Sequence, residues 1–194
     1  MRPKSMLWRL LAALTAGETA GSILYVLFPA AAVWNNAFLA HGLGILGGGC
    51  RDVCSGIALH ALLWIGLFAA AGITVMSVPL AQLLVFLHGI MLGAKLAFLY
   101  RGQVVTGLVT ALLFVMPFAV MQTALLLLAA REAMRSEHRL RRRFGRQSAG
   151  ETRMRTYTAR FAVLAVGMLL LALMQGMWMG MVYPAVLRAL TAPR

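Results

Sequence analysis

Apolar residues run along the chain in five long stretches, about 10–33, 57–74, 79–100, 103–130 and 161–187, with short polar breaks between them. Residues 102–130 and 161–187 contain no formally charged side chain. Hydrocarbon has no water to satisfy backbone N–H and C=O groups, so stretches of this length and apolarity predict membrane-spanning helices. The expected fold class is therefore all-α, a polytopic helical bundle of about five transmembrane helices forming one membrane domain over residues 1–194.

The breaks are short. Residues 34–56 form a first loop with Trp34 at an interface and the Gly47-Gly48-Gly49 run, and it carries only Arg51 and Asp52 as charges. Val75–Val78 is barely a turn, so spans two and three read as a tight hairpin. Ser77 and Pro79 interrupt the apolar run there, and a re-entrant pair is the alternative. Arg101-Gly102 is a second short turn. Pro117 falls within span four, where it removes a backbone donor and invites a kink.

Charge assigns the sides. Residues 131–160 hold ten arginines, Arg139, Arg141, Arg142 and Arg143 among them, between two uncharged spans. Short basic loops stay cytoplasmic, which places 131–160 inside. Arg2, Lys4 and Arg9 place the N-terminus inside as well, and five spans then put the C-terminus outside. Residues 131–143 can extend span four as a cytoplasmic helix ended by Gly145 through Gly150. The first apolar stretch has no small-residue cleavage site behind it and reads as a permanent span. The expected location is the cell membrane.

Composition narrows the function classes. The chain is 61% hydrophobic and 12% charged with a net charge of +13. Its basic residues flank spans, where topology and anionic lipid account for them, so nucleic acid is not an expected partner. Topology is the first role of the arginine loop, and anionic lipid absorbs the surplus charge. Ser/His/Asp, HExxH, phosphate-loop and paired-carboxylate patterns do not occur, so neither an enzyme nor a cofactor is expected. Cys50 and Cys54, spaced C-x3-C in the first loop, fit a local disulfide if that loop is not regular helix. Zinc normally takes four ligands and His41 is the one further candidate nearby, so no metal site is expected.

A few polar groups fall inside the spans. Glu18 is the sole carboxylate there, and an ionised group near mid-membrane costs at least ~2.5 kcal/mol, so it should face the bundle, be protonated or be paired. At about 1.5 Å of rise per residue, Glu18 lies roughly 13 Å deep. His88 and Gln122 share that layer, with Gln175 somewhat nearer the outer face. A contact from Glu18 to His88 or Gln122 is expected, and a register-fixing polar clasp fits better than a proton path, since a single carboxylate gives no relay. Lys95 is placed to snorkel outward. The pairs Gly17/Gly21, Gly89/Gly93 and Gly176/Gly180 let backbones approach closely and predict helix-packing faces.

The second half of the chain resembles the stage II sporulation protein M family over about residues 57–187. Val85-Phe-Leu-His-Gly-Ile-Met-Leu-Gly-Ala94 is similar to the family's pattern of a polar residue, glycine, three apolar residues and glycine. Leu113-Phe-Val-Met-Pro117, followed by Gln122 and Ala124–Ala130, resembles its proline-centred helix, and Leu171-Ala-Leu-Met-Gln-Gly-Met-Trp resembles its terminal span. The chain departs from the family at His88-Gly89 for Asn-Gly, at Pro117-Phe118-Ala119 for Pro-His-Gly, and at Gln122 and Gln175 for glutamates. Those departures favour packing or partner contact at the two glutamine positions.

The resemblance implies a non-catalytic membrane scaffold that recruits and positions peptidoglycan-degrading partners, the stage II sporulation proteins D and P, during engulfment in endospore formation. The alternative from another class is a small-molecule transporter or channel subunit, such as the substrate-binding component of a vitamin importer.

Overall fold

The computed structural model describes residues 3–28, 50–74, 76–102, 108–109, 111–141 and 151–191. Among these, all regular structure is helical: α1 (Pro3–Leu27), α2 (Cys50–Ile73), α3 (Ser77–Gly102), a π-helical turn (Ala111–Val115), α4 (Met116–Arg141) and α5 (Glu151–Thr191). Among the described residues four stretches are long and apolar enough to cross a membrane: Met6–Leu27, Cys54–Ile73, Ser77–Tyr100 and Arg155–Met179. The all-helical character read from the sequence is present among the described residues, and the four helices are compatible with a multi-pass membrane protein.

Several boundaries differ from the expectation. The first helix begins at Pro3 and ends at Leu27 rather than spanning 10–33, because Lys4 and Arg9 lengthen it at a polar end without interrupting the helix. Trp34, His41 and Gly47–Gly49 lie outside the described residues. The assumed first loop is shorter than 34–56, since α2 starts at Cys50. Cys50 and Cys54 therefore stand one turn apart in regular helix, not in the irregular loop a local disulfide would need.

The expected fourth span, 103–130, is not among the four membrane-length helices. It enters as the π-helical turn and then α4, whose second residue is Pro117. Proline cannot donate to the carbonyl one turn back and its ring crowds that carbonyl; a widened turn just before it relieves both. The basic segment 131–160 is also less of a loop than expected. α4 runs on to Arg141 and α5 starts at Glu151, leaving residues 142–150, with Arg142 and Arg143, outside the described residues. Arg139 and Arg141 lie in the helical end of α4.

Contacts set the helix directions. Leu14 meets Gly89, Gly21 meets Ile90, and the Tyr25 ring packs edge-on against Phe98 at 6.0 Å, so α1 and α3 run parallel. Cys54 touches Gly176 while Tyr157 bonds Ala69 O, so α2 and α5 are antiparallel. Gln122 bonds Gln175 and Arg160 bonds Glu132, which makes α4 and α5 antiparallel too. The α2–α3 connection closes at Thr74, whose N–H and hydroxyl both donate to Ala71 O.

Two kinds of packing follow. α1 packs almost wholly on α3, whereas α2 and α4 pack on each other and each on both α3 and α5. The central core includes Trp64, Phe68, Val85, Leu126, Met134, Phe161 and Met168. Many large apolar side chains, such as Leu59, Val120, Val163 and Met174, are exposed, the arrangement that lipid rather than water accommodates.

Candidate functional site: a polar cavity in the helical core

Periodicity brings four helix faces to one place. Ile57, His60, Ala61 and Trp64 repeat at helical spacing on α2, as do His88, Met91, Leu92 and Lys95 on α3. Val115, Ala119, Gln122 and Leu126 supply the third wall, and Met168 with Gln175 the fourth. They enclose a cavity of about 40 Å³. One water-sized particle needs ~10–15 Å³, so the space suits a few waters or one very small solute.

The polar groups are arranged in two linked pairs. Gln122 Nε2 donates to Gln175 Oε1 at 2.7 Å, joining α4 to α5. Trp64 Nε1 donates to His60 Nε2 at 3.0 Å, one turn apart on α2. The Trp64 ring also stands edge-on to His88 at 5.2 Å. His88 Nε2 lies 3.5 Å from Thr123 Oγ1, and His88 Nδ1 is buried with no hydrogen-bond partner among the described residues. A buried, unsatisfied ring nitrogen costs roughly 1–3 kcal/mol unless something in the cavity pairs with it.

Of the four residues expected to form a polar cluster within the bilayer, His88, Gln122 and Gln175 line the cavity and Glu18 does not. Glu18 lies level with Gly89 and Gly93 of α3, and azimuth decides its neighbours. α1 packs on the α3 face carrying Phe86, Gly89, Ile90 and Gly93, roughly opposite the face of His88 and Lys95. The expected partners are engaged elsewhere, Gln122 by Gln175 and His88 by Thr123 and Trp64.

Lys95, expected to snorkel outward, lines the cavity two turns from His88. His60 and Trp64 were not singled out by the sequence reading. Their spacing of four on an apolar span was the available signal, because it places an aromatic donor beside an imidazole.

The glycines form a separate seam. A Cβ on Gly17 would meet Phe86 O, on Gly21 Ile90 O, on Gly89 Leu14 O and on Gly93 Glu18 O. The two pairs thus interlock, each glycine Cα facing a carbonyl of the opposite helix, a geometry that permits Cα–H···O contacts. Ser22 Oγ seals the seam at 2.9 Å from Glu18 O and 3.1 Å from Gly93 O. Gly176 serves α5 differently, leaving room for Cys54 of α2; Gly180 lies further along α5.

At the other end of the core, charge replaces small polar groups. Glu132 accepts from Arg135 at 3.0 Å and from Arg160 at 2.8 Å, tying α4 to α5. Partial burial raises the Glu132 carboxyl, but the hydrogen bonds and positive charge of Arg160 and Arg135 outweigh it, so its pKa falls below the ordinary value. Tyr157 Oη donates to Ala69 O at 2.8 Å and fills the space that Gly72 leaves open. Among the described residues no group of three or more His, Cys, Asp or Glu could hold a metal ion.

No family model, curated protein or solved structure matches the chain.

Proposed function

We propose that the protein is a non-catalytic, multi-pass membrane scaffold resembling stage II sporulation protein M, which recruits and positions peptidoglycan-degrading partners during engulfment. One observation carries the reading. The stretches that bear the resemblance, around His88-Gly89-Gly93, Pro117–Gln122 and Gln175-Gly176, are distant in sequence, yet His88, Gln122 and Gln175 meet at one cavity. Where the family has glutamates, two glutamines bond directly to each other, which suits a structural clasp holding α4 to α5. The partners of the family, the D and P proteins of stage II, are the proposed clients.

The same proposal has five spans, N-terminus inside and C-terminus outside. In support, α1 and α3 run one way, α2 runs against α5, and α4 runs against α5. With α2 and α3 joined by a short turn, the five helices alternate in direction, and α4 acts as the fourth of the five spans despite its arginine-rich end. Accessibility labelling should find the two chain ends in opposite compartments; ends in the same compartment overturn this topology.

Function is tested by affinity purification from sporulating cells in mild detergent. Recovery of cell-wall hydrolases is expected, and their absence across several detergents rejects the scaffold. The second reading, a transporter or channel subunit, draws on the polar lining of the cavity. Its size weighs against a vitamin, because small-molecule sites usually occupy ~300–1,000 Å³. Co-purification with an ATPase module would favour that reading instead.

A further inference from the structure

We propose that the groove between α4 and α5 at their arginine-bearing ends is a binding site for one anionic phospholipid. The groove measures about 410 Å³ and is lined by Leu128, Arg131, Glu132, Thr156, Ala159, Arg160, Val163 and Leu164. Arg131 is the first charge after the uncharged run 102–130, and Arg160 is the last before the uncharged run 161–187. Both guanidinium groups therefore stand where two antiparallel spans leave the hydrocarbon, at the level of a lipid headgroup.

The apolar wall lies one helical turn deeper on each side: Leu128 is three residues before Arg131, and Val163 and Leu164 are three and four after Arg160. A phosphate between the arginines would thus have its acyl chain directed along Leu128 and Val163 into the bilayer. Val163 is 72% exposed, so the slot is open to lipid.

Charge complementarity selects an anionic headgroup. Glu132 is the one carboxylate in the lining, and it is engaged by Arg135 and Arg160. Among the described residues no carboxylate pairs with Arg131, and with Arg135 beside the groove the three arginines outnumber the one glutamate of the lining. Arginine presents a planar fork of donors that matches a phosphate, and basic sites between spans on the positively charged side recognise anionic lipid heads. The inference rests on α4 and α5 both leaving the membrane here, and is independent of the scaffold's clients.

The test is native mass spectrometry of the purified full-length protein in detergent, titrated with phosphatidylglycerol or phosphatidylcholine of matched chains. Phosphatidylglycerol should bind about tenfold more tightly. Arg131→Gln should weaken it about fivefold, the equivalent of roughly 1 kcal/mol per surface arginine, and Val163→Trp should weaken it by obstructing the acyl slot. Arg155→Gln, an exposed arginine outside the groove, should change binding less than twofold. Equal binding of the two lipids overturns the proposal, as does an equal loss in Arg131→Gln and Arg155→Gln, which would mean diffuse surface charge. Full competition by inorganic phosphate also overturns it, by showing a site for a free anion. Labelling that places Arg131 and Arg160 in different compartments overturns the site together with the topology, whereas the binding outcomes overturn the site and leave the topology standing, so the two failures are distinguishable.

Discussion

The α1–α3 seam and the α2–α5 core solve the same problem in opposite ways. Both must hold helices together in hydrocarbon, where burying apolar surface gains little because lipid is equally apolar. The seam removes side chains altogether: Gly17, Gly21, Gly89 and Gly93 let carbonyls of one helix rest on Cα atoms of the other. The core keeps its side chains and joins them by polar bonds, Gln122 to Gln175 at its middle and Glu132 to Arg135 and Arg160 at its end. Close packing tolerates no added atom. Polar bonding tolerates changed size but not a missing partner.

The largest expected effect comes from violating the seam. Gly21→Leu would press a side chain into the backbone of Ile90, and overpacking of this severity should cost about 3 kcal/mol or more. Thermal denaturation in detergent should show a large fall in melting temperature or loss of monodisperse protein. Gly66 provides the counterpart, since among the described residues nothing beyond its own helix backbone lies within 4 Å of where its Cβ would stand. Gly66→Leu should change stability by no more than about 0.5 kcal/mol. Equal effects at Gly21 and Gly66 would remove the distinction between seam and lipid face.

Breaking the core clasp should matter less. Gln122→Leu leaves Gln175 Oε1 buried without its donor, at a cost of roughly 1–3 kcal/mol. Changing both glutamines to leucine should recover much of that loss, because no orphan remains. A double-mutant cycle should return a coupling of about 1 kcal/mol, and a zero coupling would deny the clasp.

Tyr157→Phe deletes the bond to Ala69 O and should cost about 1 kcal/mol, read as a lowered melting temperature. The smallest effect belongs to the half-exposed ion pairs of Glu132, where Glu132→Gln should cost no more than about 0.5–1 kcal/mol. Their pH dependence has a definite sign. A carboxyl whose folded pKa lies below its unfolded value contributes stability that is complete above the unfolded pKa, near 4.5, and is lost as pH falls through the lower folded value. The acid arm of the wild-type stability profile should therefore be steeper than that of Glu132→Gln. Identical acid arms would show that Glu132 contributes nothing there.

Much of the candidate site was legible as composition and depth. His88, Gln122 and Gln175 stood out because polar groups are costly in hydrocarbon and must find partners. The glycine pairs stood out because four-residue spacing puts them on one face. Glu18 shows the boundary of that reasoning: its depth matches His88, but helical rotation turns it towards the seam side of α3, away from the cavity. Lys95 reads as a snorkelling cation from its position near a helix end, yet its two-turn spacing from His88 puts it in the cavity wall. Helix continues through both ends of 131–160, and there Glu132 joins Arg135 of α4 to Arg160 of α5, a partnership across 28 residues of sequence that the run of arginines by itself does not show.

The order of the chain alone determined that this protein is built from long apolar helices, and which ends of them carry positive charge. Those properties are local, set by what hydrocarbon and headgroups permit for each stretch of residues. Pairing was settled only in three dimensions: that Gly17 and Gly21 meet Gly89 and Gly93, that Gln122 meets Gln175, and that two histidines share a cavity. In lipid every apolar face is nearly equivalent to every other, so partner choice falls to steric fit and a few polar contacts, which exist only once the helices are side by side.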